Sequence, residues 1–192
     1  MRATSVLVVA ITLVLSQRAF ANPLRSQLTT IDLSECRTVA AGPGSKAWLC
    51  PGLKGFPVLL TERDGRHTLS FGSKPAGRRS VTQSLAERNT IFDGKTRPTI
   101  EWRIEHRFDG GEVPFATIVR YHARRGEHTR EVLVITKVDA SRSCRLAVID
   151  ASATDNPMAL ARNWADAEAR QRTCPAVVER IGAPADTAIW PD

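Results

Sequence analysis

The sequence contains no run of 18 or more apolar residues, so it predicts no conventional membrane-spanning helix. The motifs of several enzyme classes are also missing. There is no G-x-S-x-G or S-x-x-K nucleophile motif, no H-E-x-x-H zinc motif and no glycine-rich phosphate loop ahead of a helix. Aromatic residues make up 6% of the chain and do not alternate with basic ones, which disfavours binding to single-stranded nucleic acid.

What is present fits one globular domain. The chain has 192 residues, of which 42% are hydrophobic and 24% charged, enough for a single core. The formal net charge is +7, which favours anionic partners without specifying a fold.

Residues 1–21 have the pattern of a secretory signal peptide. Arg2 provides a positive start, Val6 to Leu15 form an apolar stretch interrupted only by Thr12, and Ala19-Phe20-Ala21 is a small-x-small cleavage site. A buried N-terminal helix is the alternative. Cleavage after Ala21 would leave a net charge of +5, because two arginines and no acids are removed. We therefore expect a periplasmic or secreted protein whose mature chain has no membrane span.

Four cysteines lie in the predicted mature chain. None forms a C-x-x-C pair, and their spacing fits no zinc finger or knuckle, so no metal site and no cofactor are predicted. In an exported protein, four cysteines predict two disulfides, for which three connectivities are possible. We favour Cys36–Cys50 with Cys144–Cys174, because each pair closes a local loop.

The clearest strand pair is a hairpin around Asp64-Gly65, between Phe56 to Arg63 and Arg66 to Phe71. Asp-Gly favours a type I′ turn, and a two-residue loop fixes the register of the strands. The predicted partners are Val58 with Phe71, Thr61 with Thr68 and Arg63 with Arg66. Such a register makes one face of the hairpin apolar: Val58, Leu60, Leu69 and Phe71.

Five further segments have the alternation or the apolar run of a strand. They are Lys46 to Cys50, Thr99 to His106, Phe115 to His122, Glu131 to Val138 and Ser143 to Asp150. The Thr99 to His106 strand is predicted to bury Ile100, Trp102 and Ile104 and to expose Glu101, Arg103 and Glu105. In the next strand, Phe115 is predicted to share a face with Val119 and Tyr121.

One helix is predicted from Pro157 to Thr173, with Asn156 as its N-cap. Its apolar stripe contains Leu160, Ala161, Trp164 and Ala165. Arg170 and Arg172 are predicted in the last turn, where cations suit the helix dipole.

These elements predict an α+β fold: an antiparallel meander of roughly six to eight strands, curved or barrel-like, packed with one C-terminal helix and braced by two disulfides. The domain is expected to span residues 22–175. Residues 176–192, which include Trp190, are expected to form an extended or loose tail.

Six basic residues are candidates for anion binding. They lie in or near the polar connection that follows Phe71, and the alternative is that they only keep this loop solvated: Lys74, Arg78, Arg79, Arg88, Lys95 and Arg97.

Carboxylates and histidines are interpreted as solvated side chains. Glu101 and Glu105 would lie about 13 Å apart along a strand, whereas glycosidase carboxylates are roughly 5–10 Å apart. The chain has four histidines, and three of them close predicted strands or adjoin turns: the four are His67, His106, His122 and His128.

Several short motifs resemble a group of small exported, periplasmic proteins of Gram-negative bacteria that has no established activity. The resemblance covers most of residues 32–174 and implies export and disulfides only. The residues and motifs are Cys36, Trp48-x-Cys50, Gly52-x-x-Gly55-x-Pro57-Val58, Glu101-Trp102-Arg103, Pro114-Phe115-Ala116-Thr117-Ile118, Val132-Leu133-Val134-Ile135-Thr136-Lys137, Cys144, Val148-x-Asp150-Ala151, Asn156, Ala161-Arg162, Ala165-Asp166 and Cys174.

We therefore expect an exported, non-enzymatic binding or accessory protein that acts on an envelope component or another anionic partner, and not on nucleic acid. The alternative is a hydrolase of envelope polymers whose carboxylates or histidine are assembled by the fold. A cleft with two carboxylates, or a His–Asp pair beside Ser or Thr, would favour the hydrolase. A smooth sheet surface with a basic rim would favour binding.

Overall fold

The computed structural model describes residues 24–72, 85, 88–138, 143–175 and 177–182. Within these residues there are eleven strands, one α-helix, α1 (Pro157–Glu168), and a 3-10 turn at Leu33–Glu35. The strands are β1 (Leu24–Thr30), β2 (Arg37–Gly42), β3 (Ser45–Leu53), β4 (Phe56–Arg63), β5 (Arg66–Phe71), β6 (Arg88–Thr90), β7 (Thr99–His106), β8 (Glu112–Arg125), β9 (His128–Val138), β10 (Ser143–Asp150) and β11 (Glu179–Ile181).

All eleven strands belong to one branched sheet. Its main path runs β11-β10-β9-β8-β6-β5-β4-β3-β2. The long strand β8 is the branch point, because its first part pairs with β7 and its last part with β6. β1 pairs with the other edge of β7.

The predicted fold class is wrong. Strands account for 59% and helices for 11% of the described residues, and the sheet is mixed. The two parallel pairs, β5 with β6 and β10 with β11, involve strands of three residues, which are too short to show a period-two pattern in the sequence. β1 and β2 are edge strands with several polar residues and no clear alternation, so the strand count was also too low.

The predicted hairpin is confirmed in its register. Val58 pairs with Phe71, and Arg63 pairs with Arg66. Asp64 and Gly65 have φ values of 51° and 71°, the two positive angles that a type I′ turn requires. The predicted apolar face is buried throughout: Val58, Leu60, Leu69 and Phe71.

The β2–β5 meander packs over one face of the sheet that contains β7 to β10. The contact centres on Trp102 of β7, which is fully buried. Its ring meets Phe71 of β5 edge-on at 5.4 Å and Phe56 of β4 at 6.5 Å between centroids. The Trp102 indole N–H donates to the Thr29 hydroxyl at 2.8 Å, so the buried polar group is satisfied.

The opposite face of β8, β9 and β10 is covered by α1. The helix contributes mainly small side chains, Ala161, Ala165 and, just beyond its end, Ala169, all of them fully buried. They pack against large aliphatic residues of the sheet: Ile118, Leu133, Ile135, Leu146 and Ile149. The central strand β9 is thus apolar on both faces, as its sequence predicts.

A bulge places Phe115 on the face opposite to the predicted one. Along β7 and β8, Arg103 pairs with Ala116 but Ile104 pairs with Pro114, so Phe115 is an extra residue. Its side chain therefore joins the helix-facing cluster, while Val119 and Tyr121 face the meander.

The helix is shorter than predicted, since it ends at Glu168 and not at Thr173. Asn156 occupies the N-cap position in the left-handed region, with φ 48°, and its side chain makes no capping bond. Arg170 and Arg172 follow the helix and are not in its last turn. They form ion pairs instead, Arg170 with Glu105 at 3.1 Å and Arg172 with Glu168 at 2.8 Å.

Both predicted disulfides, Cys36–Cys50 and Cys144–Cys174, are confirmed. The first ties the segment after the 3-10 turn to β3, and the second ties β10 to the chain beyond α1. Disulfides of this kind are typical of proteins that fold in an oxidising compartment. Among the described residues, no helix is long and apolar enough to cross a membrane.

Two predictions concern the ends of the chain, a signal peptide at the start and a loose tail at the end. The signal peptide, residues 1–21, lies outside the described residues. The segment from 176 onward, predicted as an extended or loose tail, contributes β11, which pairs in parallel with β10 at Ala147 to Ile149. Trp190 lies outside the described residues.

Replacing Cys144 and Cys174 together by serine should lower the free energy of unfolding by roughly 3–4 kcal/mol, the chain-entropy estimate for a loop of this length. Amide hydrogen exchange in α1 should accelerate, because that loop contains the helix. Replacing Cys36 and Cys50 should cost a similar amount without faster exchange in α1. Urea unfolding combined with hydrogen exchange measures both effects, and unchanged exchange in α1 of the first variant would contradict the assignment.

His67 fastens the short strand β6 to β5. Its Nδ1 accepts a hydrogen bond from the backbone N–H of Ile91 at 3.3 Å and lies 3.3 Å from the Thr90 hydroxyl. The backbone N–H of His67 donates to the Asn89 side chain at 3.1 Å. Burial lowers the pKa of His67, and the charge of Glu62 offsets only part of that effect. The solvated histidine predicted at this position is therefore wrong.

The stability contributed by neutral His67 should be lost on acidification. Its folded pKa lies below the unfolded value of about 6.5, so the unfolded chain binds more protons. The contribution is complete above pH ~6.5 and falls as the pH drops towards the folded pKa. His67→Asn keeps an acceptor and cannot titrate, so the native protein should lose stability relative to this variant between pH 7 and 5. His128→Asn, at an exposed position, is the control. Equal pH profiles for the native protein and His67→Asn in urea unfolding would disprove the role.

Candidate ligand-binding cleft

Two arginine–carboxylate pairs hold α1 on β7. Arg162 donates from Nε and Nη2 to the two carboxylate oxygens of Glu101, at 2.7 and 3.0 Å. Arg103 donates in the same way to Asp166, at 2.8 and 2.7 Å. Residues two apart on a strand are separated by about 6.7 Å, and residues four apart on a helix by about 6 Å. Both pairs can therefore form side by side.

The charges in this cluster are buried. Glu101 is 2% and Arg103 is 7% exposed. The Ser26 hydroxyl of β1 donates to Glu101 and accepts from Arg103. The prediction that Glu101 and Arg103 lie on a solvated face is wrong, because alternation distinguishes the two faces of a strand but does not show that a helix covers the polar one.

The environment of Glu101 keeps it ionised. Burial raises its pKa, but the hydrogen bonds from Arg162 and Ser26 and the charges of Arg162 and Arg103 together outweigh burial. The pKa of Glu101 is therefore lower than usual. Because the folded value is depressed, its contribution to stability is present above pH ~4.5 and is lost as the pH falls further.

Glu101→Gln should lower the free energy of unfolding by about 3 kcal/mol, because it removes the buried carboxylate that Arg162 pairs with, while Arg103 keeps its pair with Asp166. Glu127→Gln, the same change at an exposed turn position, should have little effect. Urea unfolding at pH 7 compares the two variants, and similar small losses in both would show that Glu101 does not stabilise the helix–sheet contact.

Next to these pairs lies a cleft of about 430 Å³, on the helix side of the sheet. Its floor is formed by β7, β8 and β9, one wall by the first two turns of α1, and another by the segment 91–99 between β6 and β7. β1 contributes Leu28 at the rim, and this side chain is 62% exposed. Three basic and three acidic residues line the cleft with one histidine: Arg97, Arg120, Arg162, Asp93, Glu101, Glu131 and His122.

Each of the three arginines is backed by a carboxylate. Arg162 is held by Glu101 as described above. Arg97 Nη2 lies 3.0 Å from a carboxylate oxygen of Asp32. Arg120 pairs through Nη1 with Glu131 on β9.

The side chains of Arg97, Arg120 and Arg162 are 68, 38 and 46% exposed, whereas that of Glu101 is 3% exposed. Within the described part of the chain, Nη1 of Arg162 has no hydrogen-bond partner. Arg162 is therefore held in place by two hydrogen bonds and still offers an N–H donor to the cleft, whereas Arg97 and Arg120 are each joined to a carboxylate by one more exposed ion pair.

The remaining acidic residues are also engaged. One oxygen of Asp93 accepts from the backbone N–H groups of Lys95 and Thr96, at 2.8 and 2.7 Å, and the other from the Thr96 hydroxyl at 2.8 Å. These bonds lower the pKa of Asp93 to about 2. His122 Nδ1 lies 3.6 Å from Glu131, and its charge also favours ionised Asp93. The interpretation of His122 as a solvated strand-end residue is wrong.

Three of the six predicted anion-binding residues lie among the described residues, and of these three Arg97 lines the cleft. Lys95 is exposed in the adjoining turn. Arg88 is exposed on β6 opposite Arg124, two residues along β8 from His122. The other three lie outside the described residues: Lys74, Arg78 and Arg79.

No common metal or thiol chemistry is visible in the described parts of the chain. No group of three or more potential metal ligands is found there, and all four cysteines are in disulfides.

The sequence pattern did not predict that Arg120 and Arg162 line a cleft. One signal was present in the sequence. Glu101-x-Arg103 on a strand and Arg162-x-x-x-Asp166 on a helix have matching lengths and opposite charges, so they could have been recognised as partners. Nothing comparable indicated that Arg120 and His122 would lie beside the helix.

No protein-family model matches the chain, and no characterised protein or solved structure is significantly similar to it. Conclusions about function therefore depend on the geometry of the cleft.

Proposed function

We propose that this is an exported, non-enzymatic binding protein that holds an anionic group of an envelope component in the cleft. The observation that carries the proposal is the set of three arginines that line one cleft, each paired with a carboxylate, with Arg162 held by two hydrogen bonds. A guanidinium that is already immobilised loses little conformational entropy when a ligand binds. Its planar N–H groups match the oxygens of a carboxylate or phosphate.

The formal charges of the cleft lining balance when His122 is neutral. Three arginines face Asp93, Glu101 and Glu131. Attraction of an anion must therefore come from directed N–H donors and not from net charge. We expect binding in the cleft to depend only moderately on salt. Binding by the basic loop with Lys74, Arg78 and Arg79 would depend steeply on salt.

A hydrolase is the second candidate, because the cleft contains carboxylates together with a histidine. His122, between Glu131 and Asp93, could orient an attacking water. The cleft thus has the features named above as favouring a hydrolase, namely carboxylates and a histidine close to Asp93 with Thr96 beside it. Against this, the pKa values of Asp93 and Glu101 are both lowered, whereas a carboxyl group that donates a proton in catalysis needs a raised pKa. Binding is our first proposal because paired arginines line the same cleft.

Arg162→Gln and Arg120→Gln should each weaken the binding of inorganic phosphate about 10-fold or more, since each removes a charged hydrogen-bond donor. Arg37→Gln, on the exposed edge strand β2, is the matched control and should not change the affinity. Isothermal titration calorimetry at two salt concentrations measures both affinity and salt dependence.

Two further variants distinguish the alternatives. If Arg78→Glu with Arg79→Glu abolishes binding while Arg162→Gln does not, the basic loop and not the cleft binds the anion. If the protein cleaves an envelope polymer such as peptidoglycan and His122→Gln abolishes that cleavage, the hydrolase is correct. Unchanged phosphate affinity in both arginine variants would disprove the cleft as the anion site.

A further inference from the structure

The cleft has an apolar side that a bare anion would not use. Five apolar residues from four parts of the chain line it: Leu28, Ile91, Pro98, Ile118 and Met158. Ile91 and Ile118 are almost fully buried and form part of its base. Leu28 on β1 is one of the most exposed large apolar residues among those described. Leaving such a surface in water is unfavourable, and burying it under a ligand would be favourable.

The volume of the cleft also exceeds what an anionic group needs. About 430 Å³ corresponds to roughly fourteen water molecules at liquid density, and it falls within the usual range for small-molecule sites. A carboxylate or phosphate group held by Arg97, Arg120 and Arg162 would fill only a small part of this space. The rest borders carbon atoms of the apolar side.

We propose that the ligand is an anionic amphiphile, with a carboxylate or phosphate headgroup on an apolar chain. This inference rests on the proposed function and specifies its ligand. The arginines bind the headgroup, and the chain covers the exposed Leu28 and the half-buried Met158. An alkyl chain brings no polar groups that would need partners on the apolar side, whereas a peptide would bring backbone amides. Met158, with its flexible thioether chain, can adapt to chains of different length.

The direct test is a chain-length series measured by isothermal titration calorimetry, with the full mature protein and each probe below its micelle concentration. Acetate, hexanoate, octanoate and decanoate carry the same headgroup. If the chain is buried in the cleft, affinity should rise about fourfold for each added methylene. Octyl phosphate compared with octanoate distinguishes a phosphate-bearing from a carboxylate-bearing ligand. 1-Octanol, which has the chain without the charge, should bind at least 10-fold more weakly than octanoate.

Two variants assign the parts of the ligand to the parts of the cleft. Leu28→Asn changes an exposed side chain, so the fold should be kept, and it should weaken octanoate binding severalfold without changing the affinity for acetate. Arg120→Gln, which removes a cleft arginine without breaking a pair between the helix and the sheet, should weaken both acids and leave 1-octanol unaffected. Leu33→Asn, at another exposed apolar residue away from the cleft lining, is the control for Leu28→Asn.

The outcomes separate this inference from the proposed function. If the affinity of the acids does not change with chain length, or if an acidic peptide binds and octanoate does not, the amphiphile is wrong while the anion site stands. If 1-octanol binds as tightly as octanoate, or if no acid and no inorganic phosphate binds, both proposals are wrong.

Discussion

The position of α1 depends on two arginine–carboxylate pairs with β7. The fully buried residues of the helix are Ala161 and Ala165, and the larger side chains of Met158, Leu160 and Trp164 pack against the same cluster while partly exposed. Alanines allow a close approach to the sheet but leave little side-chain shape to select one register. The register of the helix on the sheet is selected by two ion pairs, Arg162 with Glu101 and Arg103 with Asp166. In each pair, two parallel N–H groups of the guanidinium fit the two oxygens of one carboxylate in one orientation. The Cys144–Cys174 disulfide then fixes the end of the helical segment to β10.

The same pairs determine what the cleft can bind. Glu101 is almost completely covered. It therefore orients Arg162 but competes little with an anionic ligand for the N–H groups that Arg162 presents to the cleft. Such a buried pair does not by itself guarantee stability, because desolvation of both charges opposes their attraction. Its benefit is positional: the guanidinium of Arg162 lies at a defined place beside Arg97 and Arg120. A loop of mobile arginines would have to lose conformational entropy on binding, which these side chains have lost on folding.

Features with a local cause were predictable from the sequence. Asp64-Gly65 specifies its turn, the alternation in Thr99–His106 gives the strand β7 with its correct bounds, and cysteine spacing gave both disulfides. Features that depend on distant partners were not. The three-residue strands β6 and β11 form because their backbones hydrogen-bond to the neighbouring strands β5 and β10. The bulge at Phe115 turns that side chain to the opposite face of β8, and no local sequence feature indicates it. The cleft combines residues from β1, β7, β8, β9, α1 and the segment 91–99, which are far apart in the sequence. Among the residues predicted to bind an anion, Arg97 is therefore the one that the described structure places in the cleft.

The most direct test of the paired charges as the determinant of helix position is a double-mutant cycle on Arg103 and Asp166. Urea unfolding of the native protein, Arg103→Gln, Asp166→Asn and the double variant gives the coupling free energy of the two side chains. We predict a coupling of at least about 1 kcal/mol, with each single variant less stable than the native protein and the double variant less destabilised than the sum of the two. A coupling near zero, with additive losses, would contradict the role of the Arg103–Asp166 pair in positioning the helix.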